Sequence, residues 1–270
     1  MNRFVSATLL VAALICHTAT AHAGGWTHPR GKGYFKLNEQ LVKSGMYFQP
    51  SGRKVDITDL SRYTTSLYGE YGLVDRLTLV GYIPFYQRIS EDRHGSETKS
   101  GTGDWELGAR IGLHANGPTV LSIQVMAGLP LGDSYTDQEV GLFTGDGEFN
   151  QLFMLQVGHS LWPTPGYLKA EIGFNNRESD YSDELRYALE AGFMAGERVG
   201  FSAWVRGVKA LGKADDDEWT RNDQQYVSFG PEINLYITAN AGITAGVTKY
   251  TSARNLLDAP AWDIGVFFKL

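Results

Sequence analysis

The stretch that decides the fold is Asp258–Leu270, "DAPAWDIGVFFKL". In an extended segment successive side chains point to opposite faces. Trp262, Ile264, Val266, Phe268 and Leu270 therefore share one face, and Asp263, Gly265, Phe267 and Lys269 the other. The strand has one apolar and one mostly polar face. Whether the apolar face meets a protein core or lipid is settled by what precedes it.

Twelve segments carry this period-two pattern, at 32–42, 60–72, 76–87, 103–114, 118–129, 149–161, 166–176, 184–195, 198–209, 225–237, 239–249 and 260–270. Most are longer than the ~5–6 residues usual for a globular strand. They match the ~9–11 residues with which a tilted strand crosses a bilayer. The connections alternate as well. "GLVDR", "ANGPT", "WPTPG", "AGER" and "TAN" follow the even-numbered strands and are rich in turn formers. The intervening connections, 43–59, 88–102, 130–148, 177–183, 210–224 and 250–259, are long and polar. Short turns on one side, long loops on the other and an even strand number describe bacterial outer-membrane barrels. The predicted fold is all-β, a 12-stranded antiparallel transmembrane barrel, with both termini in the periplasm.

The N-terminus agrees. Arg3, the apolar run "FVSATLLVAALIC" and the small-x-small "AHA" at 21–23 read as a signal peptide over 1–23, leaving the barrel over 24–270. The one cysteine of the chain, Cys16, lies in that leader, so disulfides and cysteine-bound metals are excluded from the barrel. Without Arg3, 23 basic residues face 30 acidic ones, and no basic block suggests nucleic acid.

Two stretches resemble known families. "GGWTHPRGKGYFKL" (24–37) is similar to the start of the XagA-like outer-membrane proteins through Trp26, Pro29, Gly31, Gly33, Tyr34, Lys36 and Leu37. "TSLYGEYGLVDRLTLVGYIPF" (65–85) resembles a hairpin of the putative transporters associated with the meta-pathway of phenol degradation. The resemblance implies an outer-membrane barrel with a transport role and transfers no catalytic residue. Barrels of this kind commonly end in an alternating strand with a terminal aromatic that the barrel-assembly machinery reads; here Leu270 ends the strand and Phe268 lies two residues earlier.

Alternation also assigns the lumen. The expected inward basic residues are Lys36, Arg62, Arg76, Arg110, Lys169, Arg186, Arg206 and Lys269; the acidic ones are Glu70, Asp104, Glu106, Glu171, Glu190, Glu232 and Asp263. Charges taken out of water must be paired. Two readings stay open: opposed charges lining a narrow aqueous path, or the same charges filling the barrel as an ion-paired core. The near balance of sign argues against a strongly ion-selective porin. Tyr34, Tyr68, Tyr82, Trp204 and Tyr236 also point inward, while Trp26, Trp105, Trp162, Tyr167 and Trp262 are expected in interfacial girdles. Glu39 and Lys209 fall on the lipid face.

The leading function is passage of small, aromatic or hydrophobic solutes by passive diffusion. The alternatives are a non-conducting barrel whose loops bind a surface, and a lipid hydrolase. The last is disfavoured: His159 and Ser160 are adjacent on a strand and point apart, and His114 lies beside a short turn. His94, with Ser90, Glu91 and Ser96, and the acidic run Asp215–Glu218 read as solvated loops. No cofactor and no metal is expected; the expected partners are outer-membrane lipid, lipopolysaccharide and a small solute.

Overall fold

A computed structural model describes residues 25–92, 97–134, 142–178, 181–212 and 223–270. The signal-peptide reading, His94 and the run Asp215–Glu218 lie outside the described residues. The elements are β1 (Gly33–Phe48), β2 (Lys54–Val74), β3 (Leu77–Glu91), β4 (Glu97–Gly101) and β5 (Trp105–His114). They continue with β6 (Thr119–Leu129), β7 (Asn150–Ser160), β8 (Gly166–Arg177), β9 (Glu184–Ala195) and β10 (Val199–Ala210). β11 (Gln225–Tyr236), β12 (Ala241–Arg254), β13 (Leu256–Leu257) and β14 (Ala261–Lys269) complete the chain. No helix occurs among the described residues.

These fourteen stretches make twelve wall strands. β4 and β5 are one strand interrupted at residues 102–104, since both pair with β3. The interruption sits opposite Pro84, which has no N–H to donate to a ladder. Its carbonyl still accepts the Gly103 N–H at 2.8 Å. β13 and β14 are likewise two parts of one strand along β1. Each strand pairs antiparallel with its neighbours in sequence, and β1 pairs with both β2 and β14, from Tyr34↔Lys269 to Val42↔Ala261. The sheet is closed, which removes the exposed edges that an open sheet must protect.

The five short connections fall where turn chemistry placed them, at 75–76, 115–118, 161–165, 196–198 and 237–240. Gly117 and Gly196 hold left-handed conformations in two of them, with φ of 83° and 64°. Both the start of β1 and the end of β14 lie at this turn end. Three of the expected long loops are instead mostly strand. Within 43–59, β1 runs to Phe48 and β2 begins at Lys54, leaving a hairpin tip closed by Gln49 N–H to the Arg53 carbonyl at 2.8 Å. Within 88–102, β3 and β4 pair from Gln87↔Gly101 to Glu91↔Glu97, and within 250–259 β12 extends to Arg254. Their polar composition had marked them as loops, but a sheet that continues past the apolar belt has no need of an apolar face.

The packing is inverted relative to a water-soluble protein. Leu189, Ile172, Ile264 and Val266 are each more than half exposed, and with many other outward apolar side chains they girdle the barrel. Gln156, Asn175, Thr78 and Arg110 are buried inside it. A soluble protein would not leave so continuous an apolar surface in water; a barrel facing lipid requires it. Glu39 sits in this belt as expected. It accepts a hydrogen bond from the Thr65 hydroxyl of the adjacent strand at 2.7 Å, which meets part of the carboxylate's need for donors. Lys209 is exposed at the loop end of β10.

Candidate functional site in the barrel lumen

The inward residues pair with one another, mostly along one strand or between adjacent strands. Lys36 of β1 reaches Glu232 of β11 at 2.7 Å, past the intervening β14 and β12. Lys169 and Glu190 pair at 3.9 Å, Lys169 also holds Glu171 at 2.9 Å, and Gln156 donates to Glu171 at 2.6 Å. Arg206 lies 3.7 Å from Glu190 and its guanidinium stacks over Trp204. Asp263 accepts from Asn38 and Gln40, while Lys269 donates to the Tyr236 hydroxyl at 2.9 Å. Tyr34, Tyr68 and Phe267 form an aromatic layer near the turn end. Arg62 borders a small cavity with Tyr47 and Tyr250.

Two arginines organise this lumen. Arg110, 2% exposed, holds Glu70 in a bidentate pair with both distances 3.0 Å. Glu70 also meets His28 Nε2 at 2.9 Å and the Tyr68 hydroxyl. Arg110 further donates to Gln124 Oε1 and to the Trp26 carbonyl. The second hub is Arg177, at the loop end of β8. Its guanidinium meets Glu148 at 2.5 Å, Glu184 at 2.9 Å, and Asp146 and Asp223 at 3.8 Å each. It is covered by the Tyr181 ring at 4.4 Å. Glu184 continues to Arg186 at 2.9 Å, and Arg186 crosses the barrel to Glu106 at 3.5 Å.

The first hub anchors a segment that the sequence placed elsewhere. Residues 25–32 run along the inner wall: His28 N–H donates to the Thr78 hydroxyl, and Gly31 and Gly72 exchange backbone bonds with their neighbours at 2.8 Å. Trp26 then crosses to β7, where a Cβ on Gly158 would fall on its six-membered ring, and meets Tyr167 edge-on with centroids 6.1 Å apart. Trp26 and Tyr167 are therefore lumen residues and not part of a girdle; Tyr167 donates to Glu190 at 2.7 Å. Trp162 and Trp262 are largely exposed outward, and Trp105 is half-buried with its indole N–H on the Thr102 hydroxyl.

Arg76 does not face the lumen. It sits in the exposed 75–76 turn, where the alternation ends because the chain reverses. Asp104 lies at the mouth, outside the strand proper, and accepts the backbone N–H groups of Gly132 and Asp146. Of the hub around Arg177, only the neighbours Arg186 and Glu106 were anticipated. Arg177 shares parity with Lys169 and Glu171, so extending the alternation by one residue finds it, and Glu184 already opens the segment 184–195 with the parity of Arg186 and Glu190. Glu148, Asp146 and Asp223 are brought in by loops, and no periodicity marks them.

Above the Arg177 hub, at the loop end, the lumen opens into a vestibule of about 290 Å³. Glu148 borders it, 3% exposed, with Oε2 lacking a hydrogen-bond partner among the described residues. Burial pushes this carboxyl up to about 7, against the lowering pull of Arg177. His159 Nδ1 meets Thr119 Oγ1 at 2.8 Å, and His114 Nε2 lies 3.1 Å from the Asn116 carbonyl; neither is joined to a serine among the described residues.

A closed, apolar-girdled barrel of twelve antiparallel strands with a charged interior is the architecture of outer-membrane β-barrel proteins. No protein-family model matches the chain, and no curated protein matches it. Among solved structures it is similar to the COG4313 outer membrane channel from Pseudomonas putida F1, at 16% identity over 92% of this chain and 98% of that one, with a TM-score of 0.74. It is also similar to the NanC porin, at 9% identity over 87% and 100% of the two chains and a TM-score of 0.55. The translocator domain of the autotransporter NalP from Neisseria meningitidis matches at 10% identity, 90% of each chain and a TM-score of 0.53. At such identities the likeness establishes the shared fold.

Proposed function

We propose that the protein is an outer-membrane channel for small solutes, with its turn end in the periplasm and residues 1–23 removed on export. The observation that carries this reading is the lumen itself. Opposed charges line it from the turn end to the loop end, pair across it, and border a vestibule at the mouth. A barrel that served only as an anchor could fill its interior with apolar side chains at lower desolvation cost. The channel and porin named among the similar folds support the same reading, as does the resemblance to XagA-like proteins. Lipopolysaccharide and outer-membrane lipid meet the apolar belt, and β14 presents the strand that the assembly machinery reads.

One observation favours a non-conducting barrel: the segment 25–32 occupies the lumen at the turn end. Planar-bilayer recording on refolded residues 24–270, after a heat-modifiable gel shift verifies folding, decides between them. Stepwise currents whose ion selectivity changes in Glu106→Ala and Lys36→Ala support the channel. Silence from folded protein would sink it and leave surface binding by the outer loops.

A further inference from the structure

The charge balance read from the strands is local, not uniform. Five carboxylates border the vestibule at the loop end, Asp104, Glu106, Asp146, Glu148 and Glu184, against two guanidinium groups, Arg177 and Arg186. Both guanidiniums are already committed. Arg177 is bound to Glu148 and Glu184, and Arg186 to Glu184 and Glu106. The excess of negative charge lines the cavity, and one lining residue, Glu148, keeps a buried carboxylate oxygen that no donor among the described residues meets. Leaving such an oxygen bare costs free energy that a cationic donor recovers.

The wall is not purely acidic. Tyr82 from β3 and Tyr226 from β11 border the same space, and Tyr226 stacks edge-on with Tyr250 at 5.3 Å. Aromatic faces attract cations and accept the flat body of an organic one. Among the described residues, no three acidic or histidine side chains converge as ligands to a metal ion. The carboxylates are spread around a cavity of about 290 Å³, near the lower bound of small-molecule sites, which suits a single-ring amine better than a bare ion.

We propose that this vestibule is a binding site for small organic cations, an ammonium group meeting Glu148 and Glu106 and its apolar body lying against Tyr82 and Tyr226. This names a solute class for the channel proposed above, and rests on that reading only for what happens after binding. Burial drives the Glu148 carboxyl upward even with Arg177 beside it, and a bound ammonium would draw it back down.

The test is calorimetric titration of folded protein in detergent at pH 8 with three probes of one shape: benzylammonium, benzyl alcohol and benzoate. The expected result is saturable binding of benzylammonium about tenfold tighter than the alcohol, no binding of benzoate, and about tenfold weakening in both Glu148→Gln and Glu106→Gln. Because Glu148→Gln also removes a tether of its loop, Glu106→Gln is the decisive variant. Glu106 is partly exposed, and its ion pair with Arg186 is long, at 3.5 Å. Equal binding of amine and alcohol, any preference for benzoate, or an unchanged affinity in Glu106→Gln overturns the site. Conduction is measured separately: a barrel that conducts without binding benzylammonium retains the channel reading and loses the site, whereas a silent barrel that binds it does the reverse.

Discussion

Arg110 shows what one side chain carries in this interior. Its guanidinium satisfies both oxygens of Glu70, and Glu70 in turn holds His28 and Tyr68, so four residues from two strands and the N-terminal segment depend on one pair. Replacing a buried ion pair by apolar residues is often tolerated, whereas removing one partner strands the other charge. Arg110→Met is therefore expected to lower unfolding stability by about 3–5 kcal/mol, read from urea titrations in lipid vesicles. Adding Glu70→Gln should recover most of the loss, because a neutral amide needs no countercharge. Alternation placed both residues inside the barrel. It could not show that they meet, because they stand on β5 and β2 with β3 between them, and the approach depends on how the closed sheet curves.

At the scale of elements, the segment 25–32 is the largest departure from a plain barrel. Trp26 reads as an interfacial anchor because it precedes the first strand, and the sequence carries no signal that this stretch turns inward. What permits the inward path is glycine on the wall. Gly72 leaves room for the carbonyls of His28 and Pro29, and Gly158 leaves room for the Trp26 ring. Gly158→Leu would occupy that place while remaining compatible with a strand. If residues 25–32 set the constriction, the variant raises single-channel conductance by about twofold or more, as expected when a pore-narrowing group leaves. Unchanged conductance would mean that the narrowest point lies elsewhere in the lumen. The strands themselves were legible nearly to the residue, because a wall between lipid and water forces strict alternation. The extensions of β1 to β4 beyond the belt were not, because alternation is no longer enforced there.

For the whole molecule, the segregation of short and long connections is the basis of the proposed direction across the membrane. The proposed orientation predicts that Ser51→Cys, at the tip of the β1–β2 hairpin, reacts with a membrane-impermeant maleimide in intact cells. Glu197→Cys, in the turn between β9 and β10, should react only after the outer membrane is permeabilised. Cys16, the chain's one natural cysteine, lies in the expected leader, so the background is low. Labelling of Glu197→Cys in intact cells, with Ser51→Cys protected, would reverse the orientation and turn the vestibule toward the periplasm.

The sequence by itself determined the class of fold, the strand count and the segregation of short from long connections. Each is a one-dimensional consequence of period-two patterning and turn chemistry. Tertiary structure alone decided which charges meet, that the N-terminal segment enters the lumen, and that the loop-end mouth is acidic although the strand residues are nearly balanced. The physical reason is common to all three. Contacts between Arg110 and Glu70, Arg177 and Glu148, or Trp26 and Gly158 join residues that are distant in sequence, and only the curvature and closure of the barrel bring them within bonding distance.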